Sequence, residues 1–149
     1  MKEILFKAKR KGRKDGTDYI SPYKNGDWVY GLVTKQYKGH WAEELDDEMT
    51  DENGVSGITI DRKTICEYTG LYDGLGQKIF EGDSLMLLDE DDTYYVVQEG
   101  DCYQAVHEKF PFIPEMVFMT KRLGNVAGKS RVIGNIYDNV GVKENGNDN

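Results

Sequence analysis

The chain has 149 residues, with 19 Lys and Arg against 27 Asp and Glu, for a net charge of −8. That length suits one domain or a little more and can bury a core without disulfide staples. Ten Tyr, five Phe and two Trp exclude a disordered chain, and no apolar run approaches the roughly 18 residues of a membrane-spanning helix.

In chain order, Ile4–Ala8 reads as a strand with Ile4, Phe6 and Ala8 on one face and Lys7 and Lys9 on the other. Residues 11–26 hold Gly12, Gly16, Pro22 and the Asn25-Gly26 pair, which is turn chemistry. Asp27–Tyr37 is aromatic and β-branched throughout and predicts a long strand. Residues 41–49 suit either a short helix or an acidic loop, closed by Asn53-Gly54 and Gly57. Ile58–Ile60 is a short strand. Residues 64–68 lead into a turn at 69–76 that carries three glycines, and strands follow at 78–80 and 84–88. Residues 89–92 form a charged hairpin tip, with strands expected at 94–97, 103–106, 116–119 and 132–137, then a polar tail. Gly-Asp precedes a strand at 26–27, 82–83 and 100–101, where the carboxylate can accept free backbone N–H groups.

Short strands at this spacing predict a mainly β, antiparallel fold, a sandwich or small barrel. Residues 1–14 lack the apolar stretch of a signal peptide. The expectation is a cytoplasmic protein whose two cysteines, Cys66 and Cys102, stay reduced.

The charge is uneven. Residues 1–14 carry seven basic side chains and one acidic one, and the remainder is strongly acidic. The overall acidity argues against a general nucleic-acid coat. A nucleic-acid contact through Lys7, Lys9, Arg10 and Lys11 is one reading of the basic arm. The other is a charged strand edge that discourages stray pairing, or a counterpart for the acidic stretch 43–52 within or between subunits.

Candidate chemistry is sparse. Residues 124–130 superficially suggest a phosphate loop, but the glycine spacing is one residue short and a strand-like segment follows, so a hairpin loop is expected. Asp51, Asn53 and Gly54 resemble part of a calcium loop whose first and twelfth positions, Met49 and Ile60, are not ligands. His40 and His107 are the only histidines, so no zinc set forms. A Cys–His nucleophile pair could be assembled from them, although a buried small cysteine is the ordinary outcome. No catalytic residue, metal or cofactor is expected.

Two stretches are distinctive: Thr64–Asp83, containing Tyr68, Gly70, Leu71, Gly74, Gly76, Glu81, Gly82 and Asp83, and Val132–Asn139, containing Gly134, Asn135 and Tyr137. With Lys2–Ala8 and Gly26–Gly31 they resemble the YopX family of phage and prophage proteins. Tyr72, Leu75 and Ser84 depart from the family's usual residues. The resemblance implies a small protein of the bacterial host cytoplasm with an SH3-like β-barrel in its C-terminal part; with the residue reading, this gives a barrel at 66–140, an N-terminal β segment with room for one short helix at 1–65 and a disordered tail at 141–149. It also implies self-association and a phage or host protein as partner, with no membrane and no catalytic residues to carry over. The shared turn residues can serve the fold, with Tyr68 and Leu71 plugging the barrel, or hold a surface ligand.

Overall fold

The structure, a computed structural model, describes residues 3–16, 22–109 and 120–141. The strand expected at 116–119 and most of the tail lie outside them. The described residues are mainly β and antiparallel, and their contacts divide the chain into two compact units. One comprises residues 4–67 and 137–149, the other residues 1–3 and 68–136.

In the first unit, β1 (Phe6–Lys9), β2 (Trp28–Lys35), β3 (Asp47–Asp51) and β4 (Ile58–Ile60) form an antiparallel run. A 3-10 turn at Arg62–Thr64 leads into β5 (Cys66–Tyr72), whose first two residues pair with β1. The run curls back on itself: Arg10 bridges Ile60, with Lys11 N–H bonded to Thr59 O and Asp61 N–H to Lys9 O. Ala8, Val29, Met49, Ile58 and Ile60 fill the interior, with Phe6, Tyr23, Val33 and Ile65 against them.

Two expectations change here. β1 is no edge, because β2 and β5 flank it. Its lysine face is covered as well: Lys7 and Lys9 lie over the Trp28 ring, 4.5 and 4.8 Å from its centroid. The segment 41–49 is neither helix nor free loop. A 3-10 turn at Ala42–Glu44 is followed by β3, whose Asp47, Met49 and Asp51 all point inward. Acidic residues are poor strand formers. These two are retained because Asp47 meets Arg62 and Asp51 accepts N–H bonds from Asn53 and Val55 and a hydroxyl bond from Tyr23.

In the second unit, the rest of β5 pairs with β6 (Lys78–Phe80). β7 (Asp83–Leu87), β8 (Thr93–Glu99), β9 (Cys102–His107), β10 (Lys121–Arg122) and β11 (Ser130–Asn135) form a sheet in the order β10-β9-β8-β7-β11. The ladder stays open among the described residues, which is compatible with an SH3-like arrangement without displaying a closed barrel. Residues 123–129 are not a hairpin loop. One turn of helix, α1 (Leu123–Val126), and a 3-10 turn (Ala127–Lys129) place Leu123, Val126 and Ala127 in the core with Ile79, Leu85, Leu87, Tyr94, Val96 and Ala105. Leu71 packs against this core and Tyr68 is buried beside Phe80.

Candidate functional site

The two distinctive stretches of sequence meet in the second unit, along β11. Between β5 and β6 the chain turns at Asp73–Gln77. The Asp73 carboxylate holds that turn: Oδ1 accepts from the N–H of Leu75 and of Gln77, both at 2.8 Å. Its Oδ2 accepts from Val132 N–H at 3.0 Å, and Gly74 N–H donates to Ser130 O at 2.8 Å. Burial alone would raise the Asp73 carboxyl, but N–H bonds from Val132, Gln77, Leu75 and Gly76 outweigh it and hold the group below the ordinary carboxylate range.

A second clasp lies at the start of β7. Asp83 is fully buried, with Oδ2 accepting from Phe80 N–H at 2.7 Å and Oδ1 from the Asn135 side-chain amide at 2.8 Å. Gly82 O accepts from Ile136 N–H at 2.9 Å. Gly82 has φ +86°, and a Cβ there would sit 3.3 Å from both Asn135 and Ile136, so close approach and backbone conformation both call for glycine. Asp27 repeats the local geometry in the first unit, accepting from Lys24 N–H three residues back at 2.8 Å, as Asp83 does from Phe80. Glu81 contributes its backbone oxygen, 3.5 Å from the Asn135 amide. Gly70 and Gly76 adopt positive φ, whereas a Cβ on Gly74 would sit 2.9 Å from Gly128 O and 3.1 Å from Ser130 O, and Gly134 lies at a register shift. Tyr137 falls in the first unit, where its carbonyl caps a turn from Val140 N–H.

Large apolar side chains on these same segments face outward: Tyr72 is 51% exposed, Leu75 75%, Ile133 44% and Ile136 53%. The two stretches therefore turn Asp73, Asp83 and Asn135 inward beside the core residues Tyr68, Ile79 and Phe80, and leave Tyr72, Leu75, Ile133 and Ile136 outward.

The basic arm does not form one surface. Lys7, Lys9 and Arg10 are buried. Lys9 Nζ donates to Gly26 O and Asp138 O, both at 2.8 Å; burial lowers its pKa, opposed by Asp138 and Asp27. Trp28 Nε1 donates to Asp138 Oδ1 at 3.0 Å, which completes this cluster. Arg10 bonds to Thr59 Oγ1 at 2.8 Å and to Lys11 O. Of the four residues read as a nucleic-acid contact, only Lys11 is exposed.

Lys11 instead lines a charged cleft of about 350 Å³ with Lys14, Leu45, Asp47, Arg62 and Lys63, among others. The loop after β1, the loop before β3 and the 3-10 turn at 62–64 wall it. Arg62 is anchored, 3.3 Å from Asp47 Oδ1 and bonded to Leu45 O at 3.0 Å and to Ala42 O. Asp47 Oδ2 is buried with no hydrogen-bond partner among the described residues. Asp61 caps the 3-10 turn through Lys63 N–H at 3.1 Å, and both Asp46 oxygens take Lys14 N–H at 3.2 Å. The cleft assembles residues from three separate stretches, so no local sequence pattern marks it.

Among the described residues no three His, Cys, Asp or Glu are grouped to hold a metal ion. The calcium-like Asp51 is occupied by backbone N–H groups and Tyr23, as described above. His107 is buried between Asp92 (3.3 Å), Lys109 N–H (3.1 Å, at Nδ1) and the Tyr94 ring. Cys66 is buried and bonds to Thr64 O.

Comparison with known families places the chain. The family described as YopX protein matches residues 21–142, well over half its length, and the chain belongs to that family. No curated protein matches it. Among the described residues no helix is long and apolar enough to cross a membrane.

Proposed function

We propose that the protein is a non-enzymatic phage- or prophage-encoded accessory protein of the host cytoplasm that works through protein–protein contact and associates with itself. The observation that carries this reading is a division of labour within the two distinctive stretches of this chain. Asp73, Asp83 and Asn135 bind the protein's own backbone and one another, while Tyr72, Leu75, Ile133 and Ile136 face solvent. Polar groups committed to internal clasps have little capacity left for a substrate. Exposed apolar side chains on rigid segments suit contact with another protein surface.

Sedimentation velocity across the micromolar range tests it. The wild type is expected to sediment above the monomer mass, and Leu75→Asp or Ile133→Asp to weaken retention of partners captured from induced cells while the thermal melt stays unchanged. A strict monomer that captures nothing would remove the reading. The nucleic-acid alternative requires DNA or RNA binding that weakens steeply with salt. Burial of Lys7, Lys9 and Arg10 leaves little of the arm to supply it.

A further inference from the structure

We infer that copies of this chain join head to tail, with the acidic β7–β8 tip of one copy seated in the charged cleft of the next. This rests on the self-association proposed above and names the surfaces that would carry it.

The tip is built for an outward contact. Within residues 88–92, Glu90 and Asp92 turn back into their own unit: Glu90 accepts from the Tyr94 hydroxyl at 2.7 Å and Asp92 faces His107. Asp89 and Asp91 are exposed, and Leu88 beside them is 69% exposed. The hairpin thus presents two solvent-facing carboxylates and one apolar side chain. Its base is fixed by Leu88 N–H to Lys129 O at 2.8 Å and Glu90 N–H to Leu87 O at 3.2 Å.

The cleft offers the complement. Arg62 is held by Asp47, and Asp46 and Asp61 are tied to backbone N–H groups. Lys11 and Lys63 are exposed, and neither ammonium has an ion-pair partner among the described residues. Leu45, 39% exposed, gives the same cleft an apolar wall. Three cleft carboxylates temper the positive charge, so the match is local: two lysines for Asp89 and Asp91, Leu45 for Leu88. In a molecule of net charge −8, a contact between basic and acidic patches also opposes the general repulsion between copies. Because the two surfaces differ, the contact is heterologous and builds a ring or an open chain.

The experiment measures the mass of the full chain by sedimentation velocity at low and high salt. Two variants are compared with wild type: Lys11→Glu with Lys63→Glu, and Asp89→Lys with Asp91→Lys. Each alone should weaken association at least about tenfold, and salt should weaken the wild type. Mixing the two variants should restore a complex, because each keeps one native surface and the two reversed surfaces match each other. Unchanged melting temperatures establish that both variants fold. Association that neither variant weakens, or a mixture that stays apart, overturns this contact while leaving self-association standing. A wild type that is monomeric throughout overturns both.

Discussion

Aspartate is the residue around which this molecule is organised. Asp27, Asp51, Asp73 and Asp83 each accept backbone N–H bonds at a turn or strand start. Asp83 is the most buried, and removing it takes away the charged acceptor of the Phe80 N–H and of the Asn135 amide. Hydrogen bonds to a charged group contribute about 1.5–3 kcal/mol each. Asp83→Ala is therefore expected to lower stability by roughly 2–4 kcal/mol in urea unfolding; a loss within error would dismiss the clasp. Asp73 and Asp51 give the fold an acid limb. The Tyr23 hydroxyl leads in holding Asp51 below the usual carboxylate range, and N–H bonds overcome burial at Asp73. A folded pKa below the unfolded value of about 3.9 means that their contribution is complete above that pH and disappears as pH falls through the folded values. Asp73→Asn should flatten stability against pH below about 4, because the amide no longer titrates. Urea midpoints from pH 2.5 to 7 check this. At the alkaline end Tyr23 is pushed up to about 12 by its bond to Asp51. The stability it supplies is present below about pH 10 and is lost as pH rises toward 12, so Tyr23→Phe should remove that alkaline loss.

At the scale of elements, the strands were legible where apolar, β-branched and aromatic runs lie between turn signals, as at β2, β4, β7, β8 and β9. β3 was hidden because its inward positions are Asp47, Met49 and Asp51, and periodicity cannot reveal a carboxylate that points inward to find a partner. The helical turns at 123–129 were hidden by Gly124 and Gly128, which disfavour helix in isolation; burial of Leu123, Val126 and Ala127 decides the conformation there. The Gly-Asp turns were legible in mechanism at two of three places: carboxylate capping was expected at 27, 83 and 101, and Asp27 and Asp83 accept N–H bonds. Gly31 carries the clearest prediction at this level. A Cβ there would fall on the Thr50 carbonyl oxygen and lie 2.8 Å from Asp51 Cα, all of it backbone. Gly31→Ala should part β2 from β3 and lower the thermal midpoint further than Gly39→Ala, where only the positive φ at an open site resists the change. Equal effects in a melting comparison would contradict this close approach.

For the whole molecule, the mainly antiparallel β class and the family membership follow from signals spread along the chain. The candidate cleft could not be read, because Lys11, Leu45 and Lys63 approach one another only through folding. The basic arm misled for the same reason: whether a lysine meets solvent or a Trp ring depends on which strands flank it. The Asp138 carboxylate holds the Trp28 indole N–H, so Asp138→Ala should, while keeping the Lys9 bond to the Asp138 carbonyl, free that ring and expose Trp28. A red shift of its emission, with Trp41 changed to Phe to isolate the signal, is the expected result.

The segment around residues 135–138 has a consequence for biosynthesis. Asn135 ties into the second unit through Asp83, and three residues later Asp138 ties into the first through Lys9 and Trp28. A ribosome making about 5–20 residues per second releases these residues several seconds after β1. Through that interval both ties are missing, and the nascent chain carries an open β7 flank that a chaperone, or another copy emerging from the same message, is free to meet.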